Sequence, residues 1–177
     1  MSNSSDSKLE LTLKFNDGQS ILLSDKNAAK HANVLVTAIS MENPSWLTSE
    51  TIVSTPLDVP FPSSAGKFLL ENIAKYKSSA VLNRKPTLTD YPEADQCSLE
   101  ELRDVIELAN FLECLDFVQC IGFVIAQKLM GLPVDQIVAY MGFPLGRTED
   151  LTNDGMGWPL DPVDYEEERR RRQREEQ

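Results

Sequence analysis

The sequence predicts an α+β fold, with strands early in the chain and helices late. Three observations carry this. The stretch "LELTLKF" alternates strictly: Leu9, Leu11, Leu13 and Phe15 point one way, and Glu10, Thr12 and Lys14 the other. That period of two marks a half-buried strand. Further on, Leu99, Leu102, Val105, Ile106, Ala109 and Leu112 recur at helical spacing. Finally, strand and helix never alternate in the manner of a doubly wound parallel sheet.

After the first strand, "NDGQ" (Asn16 to Gln19) predicts a tight hairpin, because an Asp-Gly pair fits a two-residue turn and glycine accepts positive φ. "ILLS" (Ile21 to Ser24) is the returning strand. "SDKNAAKHANVLVTAIS" follows as one helix, capped by Ser24 or Asp25, with Ala28, Ala32, Leu35, Val36 and Ile39 on its inner face. Pro44 breaks it. "TPLDVPF" (Thr55 to Phe61) alternates Leu57, Val59 and Phe61 as a short strand, and its prolines favour an edge.

A helix is expected over 63–77, with Phe68, Leu69, Ile73 and Tyr76 inward. The polar, proline-broken stretch 78–97 reads as a loop. Ser98 and Glu101 then form a capping box that starts the strongest helix of the chain. Leu108 or Ala109, Leu112 and Leu115 form the inner stripe near its end. Asp116 is the expected cap of the next helix, which runs to Met130 and stops at Gly131, the usual place for a positive φ. Pro133 to Met141 forms a short amphipathic helix with proline in its first turn. Residues 144–177 form a charged extension without core pattern, and 1–7 a disordered N-terminus.

Composition narrows the function. The net charge is -11, from 28 acidic and 17 basic residues. Such a chain cannot neutralise a nucleic-acid backbone over a broad face, and an anionic membrane repels it. Hence neither nucleic acid nor membrane is expected as a partner. No apolar run reaches spanning length, and "MSNSSDSKLE" lacks the basic and apolar regions of a secretory signal. Cys97, Cys114 and Cys120 fit neither a disulfide framework nor a metal site, and read as reduced buried thiols. The arginine run 169–172 is bracketed by glutamates, with Glu166, Glu167 and Glu168 each four residues before an arginine. That pattern is an ion-paired solvated helix rather than a nucleic-acid patch.

Nothing points to catalysis. The single histidine, His31, lies among alanines in a predicted helix, and no nucleophile, metal or phosphate motif occurs. The expectation is no enzyme, no catalytic residue, no metal and no cofactor. Interaction chemistry remains. The helix after Asp116 is apolar nearly all round, with Phe117, Val118, Ile121, Phe123, Val124, Ile125, Leu129 and Met130. Such a helix needs cover on several sides, and apolar area left over calls for a partner.

The stretch "LANFLECLDFVQCIGFVIAQKLMGLPVDQI" (Leu108 to Ile137) resembles the C-terminal half of the Skp family, the S-phase-kinase-associated adaptor subunits of SCF ubiquitin ligases. The family pattern runs Ala-Asn-Tyr-Leu-Asp, an apolar helix, then Gly-x-Thr-x-Glu-x-Ile. Ala109, Asn110, Leu112, Gly131 and Ile137 match it without a gap. Phe111 stands for tyrosine, Glu113 and Asp135 keep the acidic character, and Pro133 stands for threonine. "LDVPFPSSAGKFLLENIAKY" is similar to the family's Val-Pro-Leu-Pro segment and the helix after it. The family's acidic last helix with its tryptophan is replaced by "RTEDLTNDGMGWPLDP", in which Trp158 is the tryptophan present.

The resemblance implies a divergent paralogue with a BTB/POZ fold, a small three-stranded sheet with helices, over 8–115. F-box-binding or dimerisation helices would follow over 116–143. It also implies a non-catalytic adaptor that bridges a cullin to F-box substrate receptors, in cytoplasm and nucleus. The cullin side maps to Asn110 and Phe111. The F-box side, or a homodimer surface, maps to Val118, Ile121, Ile125, Leu129, Val134, Ile137, Val138, Met141 and Trp158. A structural subunit that dimerises or joins a chromosome or kinetochore-type assembly is the alternative.

Overall fold

The computed structural model describes residues 8–142. The chain divides into two units, Met1–Gly131 and Leu132–Gln177. The described part of the first is α+β, with a small mixed sheet and helices around it. Calls on 1–7 and 144–177, including Trp158 and the arginine run, lie outside the described residues.

The sheet is centred on β1 (Leu9–Phe15), which pairs antiparallel with β2 (Ser20–Leu23), Leu13 opposite Ile21. The burial of β1 alternates as its sequence predicts. The hairpin loop holds three residues, not two: Phe15 N donates to Gln19 O at 2.9 Å, and Gly18 N to Phe15 O at 3.1 Å. Gly18 takes the left-handed position that closes such a loop, at φ +80°. The loop takes this form with Asp17 anchored elsewhere: its Oδ2 accepts from Ser63 N at 2.9 Å and from Ser63 Oγ at 2.6 Å.

The strand expected over Thr55–Phe61 forms at Leu57–Val59, and a further strand that the sequence did not predict precedes it at Thr51–Ile52. β3 (Thr51–Ile52) and β4 (Leu57–Val59) both run parallel to β1, at Leu9–Glu10 and at Leu13–Phe15. The sheet therefore has four strands rather than three and is mixed. Two residues of β3 are too few to show a period, so no alternation marks it.

Helix 24–40 is broken into α1 (Lys26–Ala29) and α2 (Asn33–Glu42). Asp25 caps α1, accepting from Asn27 N at 2.7 Å. Ala32, fully buried, turns extended between the two helices, and Val34 N donates to Leu112 O at 3.3 Å. A tertiary bond thus takes over where the helical ladder stops. The inner residues Ala28, Ala32, Leu35 and Ile39 are buried, while Val36 is half-buried.

α3 (Ser63–Asn72) ends earlier than its periodicity suggests. Its Gly66 lies against the buried Phe15 ring: a Cβ there would sit 2.2 Å from a ring carbon. Only glycine allows this approach of helix to sheet.

The stretch expected as a loop holds α4 (Ser79–Leu82), a 3-10 turn at Leu88–Asp90 and α5 (Pro92–Gln96). Aromatic packing orders it. Tyr76 meets Tyr91 edge-on at 5.1 Å between centroids and stacks with Phe117 at 5.6 Å. The Tyr76 hydroxyl donates to Glu93 Oε2 and accepts from Ala94 N, both at 3.0 Å, so it caps α5 from outside. Tyr91 donates to Lys77 O at 2.7 Å. Burial raises the pKa of both phenols, which keeps them neutral donors.

α6 (Leu99–Phe111) begins on the expected capping box, with Ser98 N donating to Glu101 Oε2 at 2.8 Å. α7 (Leu115–Leu129) packs against α6 within the first unit. Cys114, not Asp116, is its N-cap residue and offers no side-chain cap. Gly131 does not take a positive φ. In the second unit, α8 (Val134–Tyr140) follows Pro133 as expected. No helix of the described residues is long and apolar enough to cross a membrane.

Candidate protein-docking surface

The end of α6 decides what faces outward. Leu102, Val105, Leu108, Ala109 and Leu112 are buried, which leaves Asn110 and Phe111 on the far side of the last turn. The helix stops with Glu113 N bonded to Asn110 O at 3.0 Å and Cys114 N to Ala109 O at 2.8 Å. This is a Schellman closure, which requires a left-handed residue at position 113. Glu113 fills it at φ +57°, where glycine is the usual choice. Burial pushes the Cys114 thiol up to about 12, so the residue acts as a small apolar plug.

Phe111 is 38% exposed, and its ring leans on Phe61 at 5.7 Å with a 56° tilt. Phe61 is placed in turn by the hairpin: Asn16 N donates to Phe61 O at 3.1 Å, and Asn16 Nδ2 to Pro60 O at 3.3 Å. Asp17 completes the anchor by accepting from the first residue of α3. Ser63 and Gln19 hold its carboxyl below the ordinary value. Phe111 also borders a cleft of about 680 Å³ shared with Phe15, Gln19, Asp58, Val59 and Pro60. The surface is mixed: one aromatic face, one amide, and a shallow cleft with both charged and apolar walls.

The sequence assigned nothing to Phe61 beyond a strand face. The Pro60 and Pro62 that flank it are the available signal that this residue leaves the sheet.

The residues assigned to the second surface divide. On α7, Val118 and Leu129 are half-buried. Ile121 is fully buried and Ile125 nearly so; both belong to the core and are not offered outward. At 100° per residue they share the side of Phe117, Cys120 and Val124, all buried. The residues exposed instead are Leu115, at 65%, and Met130, at 78%. Leu115 was expected in the inner stripe, but the chain reverses at Glu113, which takes Leu115 out of the α6 register. On α8, Val134 and Met141 are exposed, and Ile137 and Val138 half-buried.

Cys97 is half-buried and Cys120 buried, both free, and burial raises both thiols. The chain matches no protein-family model and no curated protein.

Proposed function

We propose that this chain is a non-catalytic adaptor that joins a cullin scaffold to F-box substrate receptors in an SCF-type ubiquitin ligase, acting in cytoplasm and nucleus. In this reading the α+β unit is a BTB/POZ fold of the Skp family. The observation that carries it is the outward placement of Asn110 and Phe111 on a helix whose packing does not use them, with Phe61 bracing the ring. Braced aromatics near polar groups are the residues that dominate protein interfaces. The F-box side on the first unit is then the outer side of α7, with Leu115 and Met130 replacing Ile121 and Ile125 in the assignment.

Affinity capture with recombinant cullin and F-box proteins tests this. Wild type is expected to hold both, and Asn110→Lys/Phe111→Lys to lose the cullin while keeping the F-box protein. Empty captures of both by the wild type would sink the proposal.

A structural subunit that dimerises is the second reading. The exposure of Leu115 and Met130, at the two ends of α7, favours it, since exposed apolar side chains serve self-association equally well. Light scattering over a dilution series separates the two: a dimer that persists without an F-box partner supports the structural reading.

A further inference from the structure

We infer that Thr87 is a phosphorylation site for an arginine-directed protein kinase, and that Asp90 holds the site in reserve. The inference does not depend on the adaptor reading.

The sequence marks the acceptor. Thr87 is the one serine or threonine of the chain with an arginine three positions before it, Arg84, and Lys85 adds a second cation. Two adjacent cations stand out in a chain of net charge -11. A kinase with carboxylates in its substrate cleft pairs with such side chains, the arginine in bidentate fashion. The structure makes the acceptor accessible. Arg84, Lys85 and Thr87 are all exposed, and Lys85 to Thr87 belong to no helix or strand. Pro86 disfavours helical backbone at Lys85, and Thr87 is extended, at φ -128° and ψ 161°. A hydroxyl on an exposed, extended stretch can enter an active-site cleft, whereas one inside a helix must wait for local unfolding.

Asp90 engages both the acceptor and its recognition side chain. The Thr87 hydroxyl donates to Asp90 Oδ2 at 3.0 Å, and Thr87 N to the same oxygen at 2.8 Å. Arg84 Nη1 donates to Asp90 Oδ2 at 2.8 Å, and its Nη2 to Oδ1. Arg84 first, then Thr87, holds the Asp90 carboxyl well below the usual carboxylate range, so it is an anion at neutral pH. A kinase must draw both residues off this one carboxylate. Exposed ion pairs open readily, so Asp90 slows the reaction without forbidding it.

The step is phosphoryl transfer from ATP. A bond forms between Thr87 Oγ1 and the γ-phosphorus, the bond from that phosphorus to its bridging oxygen breaks, and ADP leaves. The hydroxyl proton passes to the catalytic carboxylate of the kinase. The product has lost the donor that met Asp90 and carries close to two negative charges beside it. Arg84 then passes from Asp90 to the phosphate. Asp90, repelled, releases Thr87 N, and the 3-10 turn at Leu88–Asp90 loosens. That turn leads into Tyr91, whose buried ring packs on Tyr76 and whose hydroxyl donates to Lys77 O. The modification therefore acts on the packing that orders 78–97.

Incubation of the full chain with ATP and the catalytic subunit of cAMP-dependent protein kinase tests this, read by peptide mass spectrometry. Phosphate is expected at Thr87. Asp90→Asn keeps the shape and drops the charge, and is expected to be modified at Thr87 several-fold faster than wild type. Arg84→Gln is expected to be modified several-fold more slowly. Both variants weaken the same ion pair, so a looser turn alone would speed both; opposite directions separate recognition from loosening. Hydrogen exchange at the amides of 87–91 is expected to rise in the phosphorylated chain. No phosphate at Thr87 in wild type and Asp90→Asn, no gain in Asp90→Asn, or undiminished modification of Arg84→Gln would overturn the site. Unchanged exchange would overturn its coupling to Tyr91.

Discussion

The last turn of α6 and the outer face of α7 are both exposed and partly apolar, but they are supported differently. Phe111 rests on Phe61, and Phe61 is fixed by a hairpin whose Asp17 reaches across to the start of α3. Three elements distant in sequence thus present one aromatic ring in one place. Leu115 and Met130, at the two ends of α7, are far more exposed than Phe111. A braced ring enters an interface with little ordering cost, whereas exposed flexible side chains must be immobilised when a partner arrives. The first surface is therefore preorganised, and the second is not.

The largest expected effect separates the inner and outer sides of α7. Ile121→Ala removes a fully buried side chain and is expected to destabilise by about 2 to 5 kcal/mol. Met130→Ala, at an exposed position, is expected to stay within about 0.5 kcal/mol. Urea denaturation measures both. Comparable losses would erase the distinction between the two sides of the helix.

A smaller effect concerns the junction between the two surfaces. Glu113 holds a left-handed conformation, so Glu113→Gly is expected to stabilise by about 1 kcal/mol. A loss of stability in the same denaturation experiment would show that the glutamate side chain does more than occupy the turn.

The smallest effect concerns the brace behind Phe111. Hydrogen bonds from the Ser63 hydroxyl and amide, then from Gln19, lower the pKa of Asp17 in the folded chain from its ordinary 3.8. A lowered carboxyl contributes stability above the ordinary value and loses it as pH falls below that value and through the folded one. Thermal midpoints of wild type and Asp17→Ala are therefore expected to differ at about pH 6 and to converge toward about pH 2. A gap that stays constant over that range would remove Asp17 ionisation from the anchor.

Legibility in the sequence followed the length of each periodic run. β1 shows its full alternation, and α6 shows both its stripe and its capping box; each formed where expected. Asn110 and Phe111 could be read as surplus to the α6 stripe, and they do face outward. Leu115 could not be placed, because its side depends on the reversal at Glu113, and a glutamate carries no turn signal. Phe61 could not be tied to Phe111, since a contact across fifty positions leaves no trace in periodicity.

The sequence by itself determined the α+β class, the strand β1, the start of α6 and the inward stripes, because each arises from bonds and packing between near neighbours along the chain. Tertiary structure decided the rest. It split the helix after Asp25 at Ala32, set β3 and β4 parallel to β1, and ordered 78–97 around Tyr76 and Tyr91. In each case the deciding partner lies far away in sequence, and its hydrogen bond or ring contact outweighs the weak local preference of a short segment.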